Sequence, residues 1–306
     1  MLTKIFMATG ASATLVFAAT LQANAAVLTP SSISLSEPSG SNNVAGQAYT
    51  DDVYLDSLKF PEADFSSQES FAALSRIQVL EGRDLINAEW GDNDTNSDGD
   101  DAPFAKIGSD PSFQETTDPS LQDSALLNVF NSLSLTEMSD GEGRDLGNFK
   151  FRALFSQGLT DDNDAVDNVP ELIFFERGLN DQFTIQAITG GTFANQTLSD
   201  AVTLNSSNFW ESGVNVNTQE IGGSQEIGIG GIDLNALGLS NGETVYGFEL
   251  TTENQTGPDL NGMFLATEDP NRFTPQTVKA VPEPTTILGA LIAGGLGVFA
   301  SKKKKA

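Results

Sequence analysis

Residues 148–157 read NFKFRALFSQ and residues 170–188 read PELIFFERGLNDQFTIQAI, with an aspartate-rich stretch between them. In the first, Phe149, Phe151, Ala153 and Phe155 alternate with Lys150, Arg152, Leu154 and Ser156, a period of two that gives a β-strand one apolar face. In the second, Leu172 to Phe175 are apolar at every position, which predicts a central strand covered on both sides. Gly178 to Asp181 then turns the chain, and Phe183, Ile185 and Ala187 alternate with Thr184, Gln186 and Ile188. Taken in order, the three strands predict an antiparallel meander.

Working outward, Gln225 to Leu234 (QEIGIGGIDL), Thr244 to Thr251 (TVYGFELT) and Met263 to Ala266 predict further short strands. Residues 236–242 and 254–262 separate them as turns. Upstream, Tyr54 to Phe60 and Arg76 to Leu80 also read as strands. Ser120 to Leu135 predicts a helix, because Leu121, Ala125, Leu126 and Val129 recur near helical spacing. Turn signals about every ten residues favour a mostly β body, an antiparallel β-sandwich or jelly-roll-like fold, over an α/β sheet. The polar stretch 91–119 is the candidate loop or sub-boundary within it.

Composition removes several functional classes. The 306 residues carry 15 Lys+Arg against 42 Asp+Glu, a net charge of −27, which repels nucleic-acid phosphate. With no His and no Cys, Ser-His-Asp triads, cysteine nucleophiles, zinc fingers, iron-sulfur clusters and the usual zinc or copper enzyme sites have no ligands or bases to use. A hydrophobic fraction of 39% with 20 Phe still supplies a core, so wholesale disorder is not expected.

Both ends read as addresses. Residues 1–25 carry Lys4, an apolar run through Leu15, Val16, Phe17 and Leu21, and Ala23-Asn24-Ala25 before Ala26. This is the pattern of a secretory signal peptide with an A-x-A cleavage site, too short in its apolar run for a membrane span. At the other end come Val281-Pro282-Glu283-Pro284, an uncharged run from Thr285 to Ala300 with Gly289, Gly294, Gly295 and Gly297, and Lys302 to Lys305. As physics, residues 285–300 are a minimal transmembrane helix whose lysines stay on the cytoplasmic side. Cutting both addresses removes five lysines and Glu283, leaving a body of residues 26–280 with 10 basic and 41 acidic residues, near −31.

The order of those three C-terminal parts resembles the PEP-CTERM sorting tail of exosortase-sorted bacterial surface proteins, and is closest to the cyanobacterial style of that tail. The resemblance implies that exosortase recognises Pro282, Glu283 and Pro284 after signal peptidase has acted at the other end. It covers residues 281–306. The stretch 145–188 is in turn similar to a family of exosortase-dependent cyanobacterial surface proteins, matching at Leu172 to Gly178, Asn180 and Gln186 to Ile188. That resemblance implies a surface protein and carries no catalytic activity.

Two aspartate loops are the candidate metal sites. Asp94, Asn96, Asp98 and Asp100, with Gly99, fit the first half of a D-x-N-x-D-G calcium loop. Ala105 then stands where a bidentate acid is needed, so the fit is incomplete. Asp161, Asp162, Asp164 and Asp167 form a second loop, whose carboxylates repel one another unless solvated or bridged by calcium. A solvated acidic loop is the alternative in both places. Glu171 and Glu176, five apart on one strand, are expected to face opposite sides and so not to form a catalytic pair. Trp90, Phe209 and Trp210 are candidate sugar-stacking residues, with core packing as the alternative. The glycines at 222–223 and 228–231 lack the context of a nucleotide loop and read as strand and turn glycine.

The sequence therefore points to a non-enzymatic, exported protein of the cell envelope, cell surface or extracellular matrix, with a structural or adhesive role. A calcium-assisted carbohydrate-binding module, with extracellular polysaccharide as partner, is the alternative, and a secreted carboxylate-dependent hydrolase the third reading.

Overall fold

A strand with apolar side chains on both faces has to be the middle layer of something, and the structure shows what lies on either side. The computed structural model describes residues 27–37, 39, 43–50, 52–66, 68–89, 119–131, 133–141, 147–161, 169–217, 223–240 and 242–278. In chain order the elements are β1 (Val27–Leu28), β2 (Ser32–Ser36), β3 (Tyr54–Lys59), β4 (Asp64–Phe65), β5 (Phe71–Ala72), β6 (Leu74–Glu81) and β7 (Ile86–Glu89). Helix α1 (Pro119–Asn131) follows, then β8 (Met138–Gly141), β9 (Lys150–Thr160), β10 (Leu172–Arg177), β11 (Phe183–Thr192) and β12 (Asn195–Leu204). The last are β13 (Trp210–Val216), β14 (Gln225–Ile232), β15 (Thr244–Thr252), β16 (Asp259–Ala266) and β17 (Phe273–Pro275). The protein is mostly β, and every pairing between these strands is antiparallel.

The strands form three sheets. An eight-stranded sheet runs β1-β14-β10-β16-β8-β7, with β13 on β14 and β5 on β16. A six-stranded sheet runs β12-β11-β15-β9-β17, with β6 on β9, and a small sheet runs β2-β3-β4. β10 is buried at all six positions and divides its side chains between two cores. Phe174 joins the core shared with the six-stranded sheet, its ring centroid 5.7 Å from Phe183 and 6.0 Å from Phe248. Ile173 and Phe175 join the core shared with the small sheet, where Phe175 meets Phe264 at 5.7 Å. The eight-stranded sheet is thus the middle layer of a sandwich of three sheets.

The predicted meander does not form. β9 and β10 belong to different sheets, and β11 pairs with β12 and β15. The reason lies in the faces: β9 and β11 each bury one side and fit an outer sheet, whereas β10 has no face to give to water. The aspartate stretch after Thr160 consequently joins two layers and is not a hairpin loop.

The predicted helix ends four residues early, at Asn131, and buries Ala125, Leu126, Val129 and Phe130. Pro119 at its start suits a first-turn position, where a missing N–H costs nothing. Beyond it the chain becomes extended and borders β3: Leu55 N–H donates to Leu133 O (2.9 Å) and Leu135 N–H to Val53 O (2.8 Å). Gly231 marks a close approach in the middle sheet, since a Cβ there would lie 2.5 Å from Pro170 Cβ and 3.0 Å from the Phe60 ring. No helix among the described residues is long and apolar enough to cross a membrane, and residues 1–25 and 285–300 lie outside the described residues.

Because Phe174 is fully buried against two rings of the six-stranded sheet, Phe174→Ala is expected to cost about 3–5 kcal/mol, read as a fall in the urea midpoint at constant slope. Val44→Ser, at a side chain 62% exposed, is expected to stay within about 0.5 kcal/mol.

Candidate functional site

Ionisable groups inside a chain this acidic are the places where chemistry can be concentrated, and two of them flank β10. Glu171 precedes the strand and Glu176 sits near its far end, roughly 16 Å away at an extended rise. They do not share a site. The expectation placed both on one strand, whereas Glu171 lies just before β10 and only Glu176 lies within it.

Glu171 is 3% exposed and held at the junction of three segments. Its Oε2 accepts from Leu234 N–H (3.1 Å), and its Oε1 meets Arg272 Nη2 at 3.3 Å. The same guanidinium nitrogen donates to Thr160 O (3.2 Å), so Arg272 ties the end of β9 to the start of β10. Burial outweighs the ion pair: it pushes the Glu171 carboxyl up to about 8, with Asp233 adding to the rise and Leu234 N–H and Arg272 opposing it. A carboxyl that stays protonated near neutral pH is a proton donor, but this one is covered by the turn at Leu234–Leu237.

At the other end, Glu176 and Arg177 are 0% and 1% exposed. Glu176 Oε2 accepts from Leu179 N–H (2.8 Å), while its Oε1 is buried with no hydrogen-bond partner. Arg177 Nη2 lies 3.7 Å from Asp259 Oδ2 on β16, and Asp259 Oδ1 accepts from Gly141 N–H on β8 (3.1 Å). Burial, and then the neighbouring Asp140, raise the Asp259 carboxyl well above its ordinary range, against the pull of Arg177. Burial likewise raises Glu176, with Asp259 and Asp181 adding to it.

Among the described residues, grooves open to solvent beside the small sheet and beside β6. The larger, about 570 Å³, lies between the small sheet and the end of α1. Tyr54, Phe71, Leu133 and Phe264 make it apolar, and Ser36, Asp56 and Asn131 add polar groups. The smaller, about 440 Å³, is bounded by β6 and α1 and lined in part by Arg76, Arg83 and Asp123. Among the described residues, Asp56 lines the larger groove and Asp123 the smaller. On the outside of the six-stranded sheet, Glu249 pairs with Lys150 (2.5 Å) and Arg152 (2.8 Å), and Arg76 stands 4.0 Å over the Phe193 ring. Those residues gather three of the body's ten cations on one face.

Most of the sequence-derived site residues fall outside the described residues: Asp94, Asn96, Asp98, Asp100, Asp162, Asp164, Asp167, Trp90, and the sorting motif Val281, Pro282, Glu283 and Pro284. Asp161 is described and buried, with its N–H donating to Glu243 O (2.8 Å) and its carbonyl accepting from Gly242 N–H (3.0 Å). Its backbone therefore anchors the second aspartate loop to the turn before β15. Among the described residues no three acids converge as metal ligands. Phe209 is 7% exposed within the first core and Trp210 packs against the second, so both follow the core reading. Gly228, Gly230 and Gly231 lie in β14, as strand glycines. The buried groups Arg177, Asp259 and Asp140 and the half-buried Arg272 escaped sequence reading. Their one signal is charge next to or inside an apolar run, as in Glu176-Arg177 after Leu172 to Phe175.

The sign of the Glu171 effect is fixed by the direction of its shift. The fold holds a proton that the unfolded chain releases near pH 4.5, so this contribution to stability is full below that value and is lost as pH rises toward about 8. Melting temperature measured from pH 4 to 9 is expected to fall less steeply in Glu171→Gln than in the parent protein. Equal slopes would contradict the assignment. Comparison of the chain with protein-family models, with curated proteins and with solved structures finds no match.

Proposed function

We propose that the chain is an exported, non-enzymatic surface or extracellular-matrix protein, delivered by a signal peptide and a PEP-CTERM tail and serving a structural or adhesive role. The observation that carries this reading is the tail itself: Val281-Pro282-Glu283-Pro284, the uncharged run 285–300 and, after Ser301, four lysines follow in that order. How the body meets that tail supports it. β17 pairs with β9, Gln276 Nε2 donates to Phe155 O (3.0 Å) and Tyr246 O (3.1 Å), and Val278 is buried with Leu154, Ile188 and Phe193. The folded body thus reaches to within three residues of the sorting motif.

The start of the body supports the signal peptide in the same way. Val27 pairs with Ile232 in the middle sheet, two residues beyond the proposed cleavage point at Ala25. Two cores without any disulfide give a body that holds together outside the cell by packing alone. On this reading signal peptidase and exosortase are the processing partners, and the body's net charge near −31 keeps it soluble and clear of anionic lipid and nucleic acid. In a host carrying exosortase, the protein is expected in the surface or extracellular fraction without residues 285–300. Replacing Pro282, Glu283 and Pro284 by alanine should leave it in the membrane with its tail intact. Identical fractionation of the two would overturn the sorting assignment.

The larger groove favours a second reading, a carbohydrate-binding module assisted by calcium at residues 94–100 or 161–167. Its lining combines the Tyr54 and Phe71 rings with the Ser36 hydroxyl and the Asp56 carboxylate, and among the described residues it holds no cation, which suits the apolar face and hydroxyls of a neutral sugar. Migration of the full chain in detergent is expected to be retarded in gels containing hydroxyethyl-cellulose or dextran, and Tyr54→Ala should abolish the retardation. Retardation unchanged by chelator would remove the calcium part, and no retardation in either gel would remove this reading.

A further inference from the structure

One wall of the larger groove is built on an irregularity in β3. Its register against β2 runs from Ser57 with Ser34 directly to Leu55 with Leu35, so Asp56 stands opposite no residue and is the extra residue of a β-bulge. Bulges re-aim side chains, and this one brings Asp56 into the groove beside Tyr54 and Ser36, themselves a cross-strand pair. Phe71 and Phe264 share the lining with ring centroids 5.3 Å apart, and Phe264 is held in turn by Phe175 at 5.7 Å. Tyr54 is fixed as firmly. Its main chain bridges Ser134 and its hydroxyl donates to Asp52 Oδ2 (3.0 Å), while Asp52 Oδ1 accepts from Thr136 Oγ1 (2.9 Å).

The hydrogen bonds of this lining are one-sided. The Ser36 hydroxyl donates to Asp56 Oδ1 (2.7 Å) and the Tyr54 hydroxyl to Asp52, so the hydrogens of both hydroxyls are spent within the protein. Asn131 is turned to the main chain of Leu74, its Oδ1 accepting from the N–H (2.6 Å) and its Nδ2 donating to the carbonyl (2.8 Å). What Asp56 holds out to a ligand is its second carboxylate oxygen, an acceptor with negative charge, next to aromatic rings. Donation to a carboxylate also leaves the Tyr54 ring richer in electrons, which strengthens its attraction for a cation. A hydroxyl brings donor and acceptor together, whereas a protonated amine brings three donors, a positive charge and no acceptor.

We propose that the larger groove selects sugars that carry a protonated amine, Asp56 receiving the ammonium while the Tyr54 and Phe71 rings receive the apolar face of the sugar. This rests on the carbohydrate reading of the same groove and adds to it the class of sugar, amino-hexose units with a free amine in preference to uncharged ones. The nearest described cation on β3, Lys59, is turned to Asp64 at 2.7 Å and leaves Asp56 to the ligand.

Calorimetric titration of the full chain at pH 6, where sugar amines are protonated, tests this in a detergent without a sugar headgroup and at physiological salt, which screens the general negative charge of the chain. Cellotriose and the β-1,4 trimer of glucosamine differ on each ring only by a hydroxyl against an ammonium. The amino trimer is expected to bind at least about threefold more tightly, and more tightly than trilysine, which has the charge without the ring. Asp56→Asn, which keeps an acceptor for the Ser36 hydroxyl, should bring the two sugars to equal affinity. Glu211→Gln, at an exposed acid on β13, removes the same charge elsewhere and should keep the preference. Equal affinity of the parent protein for the two sugars, or a preference that survives Asp56→Asn, would overturn the proposal and leave the carbohydrate reading standing. Trilysine binding as tightly as the amino trimer would also overturn it, by reducing the preference to charge alone. Binding of neither sugar would overturn both.

Discussion

The structure depends on the burial of β10 from both sides. Water is excluded from Ile173 and Phe175 by one sheet and from Leu172 and Phe174 by another, so β10 has to be flanked by strands and covered by layers. At about 25 cal/mol per Å², two-sided burial of four large apolar side chains outweighs any single polar contact in the molecule. β14 and β16 complete the requirement on either edge, and their glycines let neighbouring chain approach closely, as Gly231 does toward Pro170 and Phe60.

The same requirement produces the buried charge. A strand as long as the middle sheet demands begins beside Glu171 and runs on through Glu176 and Arg177, so charged side chains follow the apolar ones out of water. The fold answers at one end with Arg272 and at the other with Asp259, both from the chain around β16. Neither answer is complete, because burial raises Glu171, Glu176 and Asp259 despite their cationic neighbours. The middle sheet is therefore held by apolar contact and by protons together.

What was legible in the sequence follows from how local each signal is. The alternation at 149–155 and 183–187 and the unbroken run at 172–175 are properties of short segments, and they gave three strands and their buried faces correctly. Assignment of strands to sheets is a property of distant segments, so the meander was wrong. β12 was missed because it is a polar edge strand: within NQTLSDAVTL only Val202 and Leu204 are buried. The acidic cluster was hidden for the same reason as the sheet order, since Arg177 and Asp259 are neighbours in space and 82 positions apart in the chain. The two addresses proposed for the termini rest on composition and order alone, and both lie outside the described residues.

The short last strand bears on mechanics. If the body is held at its C-terminus, any load between anchor and body passes through Val278 and Gln276 into β17, which pairs with β9 over three residues. That strand is an edge of the outer sheet, and neither core contains more of it than the partly buried Phe273. Peeling residues 273–278 would lengthen the tether by roughly 20 Å at full extension and leave the middle layer intact. Held in that way, the protein would carry a short extensible link in front of a body that unfolds only when its two-sided core is breached.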